Sequence, residues 1–127
     1  GRPQPHMPVE SRIDPRRRLV VTVAEGTLSG DEIRANQRTL ASAPGFDPGF
    51  DHLFDMSRVS DLHVPPEQLR ELAAVALFEP ESRRAVVAPE DVMVALARKY
   101  GSLRDLSDHA LRVFRTLREA LAWLGHD

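Results

Sequence analysis

A chain of 127 residues is long enough for one domain with a core of its own, and 42% hydrophobic against 28% charged residues is the balance of a globular protein. A net charge of −2 supplies no global field for nucleic acid or an anionic membrane, so neither is expected as a partner. The absence of cysteine excludes disulfides, thiolate nucleophiles, cysteine zinc sites and iron–sulfur clusters, and no apolar run approaches the roughly 20 residues of a membrane span. The stretch Gly1-Arg2-Pro3-Gln4-Pro5-His6-Met7 is polar and proline-rich; it reads as a tag or disordered leader, with a single domain over 8–127. No secretory signal is visible, so the default expectation is a cytoplasmic protein.

Val9 to Ile13 reads as a short strand, and Asp14-Pro15-Arg16-Arg17 places Asp at i and Pro at i+1 of a type I turn. Leu19 to Ala24 is rich in β-branched residues and completes a hairpin. Arg16 to Arg18 at its tip, without interleaved aromatics, form a solvated turn rather than a phosphate patch. Ser29-Gly30-Asp31-Glu32 has the form of a capping box, with a helix to about Ala43 and a stripe of Ile33, Gln37, Leu40 and Ala41. The two Asp residues of the next loop, Asp47 and Asp51, fit turn chemistry better than calcium, and Phe46 and Phe50 should pin the loop to the core.

His52 to Met56 is the third strand. Pro65-Pro66 opens a helix with Leu69, Leu72, Ala73, Ala76 and Leu77 on one face. Arg84 to Ala88 is apolar on both sides, as a central strand should be. Pro89 opens a helix with Val92, Met93, Leu96, Ala97 and Tyr100 aligned and Gly101 as its stop. Ala110 to Phe114 is an edge strand, and Leu117, Ala120, Leu121 and Leu124 form the last stripe. Alternating strands and helices predict an α/β domain with a mixed five-stranded sheet and about four helices.

The run Phe54-Asp55-Met56-Ser57-Arg58-Val59-Ser60, then Arg84 to Asp91, then the terminal Glu119-Ala120-Leu121-Ala122-Trp123-Leu124, resembles the STAS domain of anti-sigma-factor antagonists, the SpoIIAA-like fold. More closely it is similar to small bacterial SpoIIAA-like proteins of unassigned function, sometimes described as STAS/SEC14-like. The resemblance implies a right-handed (βα)n superhelix with strands in simple order. In switchable STAS proteins Asp-Leu-Ser-x-Val leads to Asp-Ser-Ser/Thr-Gly, whose serine a partner kinase phosphorylates. Here the first half stands as Asp55-Met56-Ser57-Arg58-Val59, but the second reads His63-Val64-Pro65-Pro66, with no hydroxyl to phosphorylate. The fold carries over; the phosphoswitch does not.

The most reactive-looking set is Asp55, Ser57, Arg58, Asp61 and His63, placed just past the carboxyl end of a core strand, where open α/β sheets bind ligands. No strained nucleophile elbow accompanies it, so catalysis is not expected and the residues read as turn-capping or partner-binding groups. Asp61-x-His63 with His52 or His109 has metal-ligand chemistry but no ligand spacing; no metal and no cofactor are expected. Glu90 and Asp91 would repel an anion from their helix start. Trp123 lies off its helix stripe and serves either as an interface anchor or as packing over the sheet edge.

Right-handed crossovers between strands in simple order put every helix on one side of the sheet. The other face would carry Leu19, Val21, Val23, Ala85 and Val87 or their alternates, and an apolar face of several hundred Å2 is rarely left in water. A covering hairpin, a second subunit or a ligand is therefore expected. The reading is a non-enzymatic protein-interaction or regulatory module, a homodimer with a regulatory protein partner; the rival is a carrier or sensor of an apolar small molecule or lipid.

Overall fold

The structure, a computed structural model, describes residues 8–126; the leader expected over residues 1–7 lies outside them. The opening hairpin joins β1 (Val9–Asp14) to β2 (Leu19–Ser29), which pair antiparallel with Val9 opposite Ala24 and Asp14 opposite Leu19. The Asp14 carboxylate accepts the Arg17 amide at 3.2 Å, as the turn chemistry predicts. Helix α1 (Gly30–Ala41) starts at the capping box: Ser29 accepts from the Glu32 amide while Glu32 accepts from the Ser29 amide. Strand β3 (Asp51–His63), helix α2 (Pro66–Ala73), strand β4 (Arg84–Val87), helix α3 (Asp91–Leu103), strand β5 (Leu111–Phe114) and helix α4 (Leu117–Trp123) complete the order. The sheet order is β1-β2-β3-β4-β5, with β2 to β5 parallel. All four residues of β4 are buried, Ala85, Val86 and Val87 as an interior strand requires and the charged Arg84 with them.

Four local expectations need correction. β3 does not end at Met56: it continues to His63 beside an equally extended β2, so Ser57 to His63 form strand rather than loop. Two register shifts make this possible, with β3 taking an extra residue against Val23/Glu25 and again against Gly26/Thr27. Gly26 takes the left-handed conformation there, φ 69°. Second, α2 stops at Ala73. A straight continuation would carry Leu77 and Phe78 away; instead the chain bends so that both join Val20, Leu40 and Phe50 in a cluster at one end of the sheet. Third, α3 runs through Gly101 to Leu103. Gly101 is buried, and a Cβ on it would meet Leu111 Cδ2 at 3.4 Å, so it serves close packing of helix on strand rather than termination. Val92, expected on the inner stripe of α3, is exposed.

The fourth correction concerns the layers. Helices α1 and α3 cover the face bearing Ala24, Met56 and Val86, and α2 packs between them. Helix α4 lies on the opposite face, where Ala120 and Leu124 bury against Leu19, Leu53, Ala85 and Val87. The handedness rule governs helices that return the chain to a parallel neighbour. No strand follows α4 among the described residues, so it is free to cap the other face. The apolar face predicted to lack a cover is covered over β3, β4 and β5 by the chain itself.

Candidate functional site

Where β3 and β4 run side by side, His52 and Arg84 are register partners. Strand alternation turns both toward α1, α2 and α3, together with Phe54, Met56 and Val86. Between this face and the three helices lies a cavity of about 120 Å3. Its walls are apolar, from Ile33 and Leu40 of α1, Leu69 and Leu72 of α2, and Leu96 and Ala97 of α3. Its polar lining is short: Asn36, Gln37, His52, Arg84 and Tyr100, with no carboxylate among them. A shallower groove between α2 and α3, bordered by Val92, Lys99 and Leu103, shares Val64, Leu69 and Leu96 with the cavity as walls.

The polar groups differ in how well they are satisfied. Ser11 Oγ donates to Asn36 Oδ1 at 3.0 Å and lies 2.7 Å from Thr22 Oγ1, which lies 2.8 Å from His52 Nε2. Each hydroxyl has one proton. With the Ser11 proton directed at Asn36, Thr22 donates to Ser11, and His52 donates through Nε2 to Thr22. The chain of bonds fixes the Nε2–H tautomer and leaves Nδ1 as the ring's acceptor. Burial, then the Arg84 charge, push the His52 pKa from 6.5 down to about 3, so the ring is neutral. It stacks on Phe78 at 4.6 Å between ring centres.

Arg84 is 6% exposed. Its Nη2 reaches the Phe78 carbonyl at 3.4 Å, and its guanidinium carbon sits 5.5 Å from the centre of the Phe78 ring. Nε and Nη1 are buried without a partner, as is Oε1 of Gln37, whose Nε2 donates to the Leu72 carbonyl. Burial draws the Arg84 pKa below its ordinary value; Tyr100 opposes the shift and Arg104 adds to it. The guanidinium still carries its charge at neutral pH. A cation–π contact contributes roughly 1–2 kcal/mol, whereas desolvating an ion costs several. Among the described residues neither Arg84 nor Arg104 forms an ion pair.

The residues singled out from the sequence lie elsewhere. Asp55 is buried beside a register shift, and its Oδ1 accepts the Ser57 amide at 2.9 Å. Ser57 and Arg58 are exposed on the strand. Asp61 and His63 pair with each other at 2.8 Å, both largely in solvent. His52 and His63 sit at opposite ends of β3, about 35 Å apart at strand rise. Among the described residues no cluster of three or more His, Asp or Glu side chains could hold a metal. Trp123 packs on Phe114, ring centres 5.7 Å apart, under the guanidinium groups of Arg83 and Arg112. Arg83 also donates to the carbonyls of Trp123 and Leu124 and to Asp51, which ties α4 to the sheet. At the start of α2, where the STAS resemblance places a phosphorylated serine, Val64 instead lines the cavity and Pro65 is the N-cap.

Sequence reasoning weighed His52 only as a metal ligand and gave the cavity's other polar groups no site role, although a signal existed. Gln37 and Tyr100 stood on helix stripes otherwise apolar, and Arg84 shares its strand face with Val86. A polar residue at an inward position is the informative departure from the hydrophobic pattern.

Neither a protein-family profile nor a curated protein matches the sequence. Among solved structures, the chain is similar to an uncharacterised protein of the DUF3478 family with a SpoIIAA-like fold from Shewanella loihica PV-4, at 18% identity and a TM-score of 0.62, over 98% of this chain and 99% of that one. The fold is SpoIIAA-like, as the sequence resemblance implied. Among the described residues no helix is long and apolar enough to cross a membrane.

Proposed function

We propose that this chain is a non-enzymatic binding module whose input is a small, mainly apolar molecule held between the sheet and α1, α2 and α3. The observation that carries the reading is the cavity itself: an apolar chamber inside the helical layer with polar atoms on its wall that no protein group satisfies. Buried polar groups are ordinarily hydrogen-bonded, and a concave apolar site with a few convergent polar groups is how small ligands are held. A cytoplasmic protein partner then reads occupancy, in keeping with the regulatory role of STAS domains. The homodimer expected from a bare sheet face loses its motive, because α4 lies on that face.

Native mass spectrometry of freshly purified protein, with thermal denaturation in the presence of small single-ring or six-carbon probes, tests the reading. A bound small molecule, or a rise in melting temperature with a probe, is expected, and Leu96→Trp should abolish it by filling the chamber. A bare chain that no probe stabilises would overturn the reading.

A further inference from the structure

Resting on that reading, we infer that the ligand is a monocarboxylate, a short acyl chain or single ring whose carboxylate seats on Arg84. Nε and Nη1 of Arg84, on opposite edges of one guanidinium, are both buried and both without a partner, on a residue that lines the chamber. A carboxylate answers that charge and accepts from one edge of the guanidinium through charge-assisted bonds. No acid of the protein lines the chamber, and Arg104 brings a second unpaired positive charge close to the first. The local potential is therefore positive inside an otherwise apolar volume, and a neutral hydrocarbon would leave that charge unanswered. The volume limits the body of the ligand: about 120 Å3 is close to the roughly 150 Å3 of a cavity that accepts benzene. The apolar walls of Leu72, Leu96 and Phe54 receive that body, and the groove between α2 and α3 gives the route of entry.

Isothermal titration of the full chain with hexanoate and benzoate, each beside its neutral counterpart 1-hexanol or benzyl alcohol, tests the inference. Each carboxylate should bind at least tenfold more tightly than its alcohol. Arg84→Met, which keeps the length and loses the charge, should erase that preference. Equal affinities for acid and alcohol in the unmodified protein would overturn the carboxylate assignment and leave the binding-module reading standing. Binding of neither class would overturn both. The unmodified protein gives the acid-to-alcohol ratio without any variant, so a misfolded Arg84→Met does not shelter the inference.

Discussion

Arg84 is costly to bury. It sits in a four-residue interior strand whose other members are Ala85, Val86 and Val87, and two of its donors have no partner in the protein. Replacing a buried, uncompensated charge by an apolar side chain of similar length stabilises a fold by about 1–3 kcal/mol. Arg84→Met is therefore expected to raise the urea midpoint of the free protein at pH 7 with an unchanged denaturant slope. A lower midpoint would mean that Arg84 is held by interactions stronger than its weak contacts with Phe78. His52 sets the acid limit. Its pKa is about 3 in the fold and 6.5 in the unfolded chain, so below pH 6.5 the unfolded state takes up a proton that the folded state refuses. Stability from this group is fully present above pH 6.5 and falls by about 1.4 kcal/mol per unit as pH drops toward 3. His52→Gln, which retains a donor toward Thr22, should flatten that part of the stability profile; an unchanged slope between pH 6 and 4 would show that His52 is not the titrating group.

At the scale of elements, what could be read from the sequence was what is local. The capping box at Ser29 and Glu32 forms as spelled out, because both bonds lie within one helical turn; Ser29→Ala should cost about 1 kcal/mol, read as a fall in the urea midpoint. The interior position of β4 was legible from its apolar run, and the simple strand order from the resemblance to SpoIIAA-like proteins. The far half of β3 was not, since Ser57 to His63 mixes exposed polar residues with Val59 and Leu62, and only the bulges against β2 make that pattern strand-like. The end of α2 was hidden for a similar reason: the demand that bends the chain at Ala74 comes from the distant Val20, Leu40 and Phe50. The cavity was illegible as a site because its two central residues, His52 and Arg84, meet only through strand pairing across thirty-odd positions of sequence. The side taken by α4 depends on the connectivity of the whole sheet, not on the helix's own stripe. Ending the chain at Arg115 should uncover Leu53, Ala85 and Val87 and produce dye binding and concentration-dependent self-association. A truncated chain that stays monodisperse would mean that α4 is dispensable as a cover.

For the whole molecule, the two faces of the sheet have different tasks. The α4 face is closed by the chain's own last helix, with Trp123 and Phe114 packed together and Arg83 bonded across to the helix end. What remains open there, around the half-buried Val21 and Val23 of β2, is flanked by the exposed Glu10 and Arg12 of β1. That strip lacks the continuous apolar core of a stable subunit interface, which buries roughly 1,200 Å2 or more. Light scattering at micromolar concentration is therefore expected to report the chain mass, 14.2 kDa; twice that mass would restore the dimer.

The helical face holds stability in reserve for a ligand, and this links the residue-scale cost of Arg84 to the behaviour of the molecule. A ligand that binds only the folded chain adds about 2.7 kcal/mol at a hundred times its dissociation constant, which for a domain of this size is a rise of roughly 10 °C in melting temperature. Hexanoate at that ratio should give this rise in the unmodified protein. Arg84→Met should start from a higher melting temperature and gain little from the same concentration, because the charge that destabilised the free protein is the charge that held the carboxylate. Scanning calorimetry of the two proteins with and without hexanoate separates the terms. If the variant starts higher and still gains the full rise, the cavity binds by its apolar walls alone, and the burial of Arg84 needs another explanation.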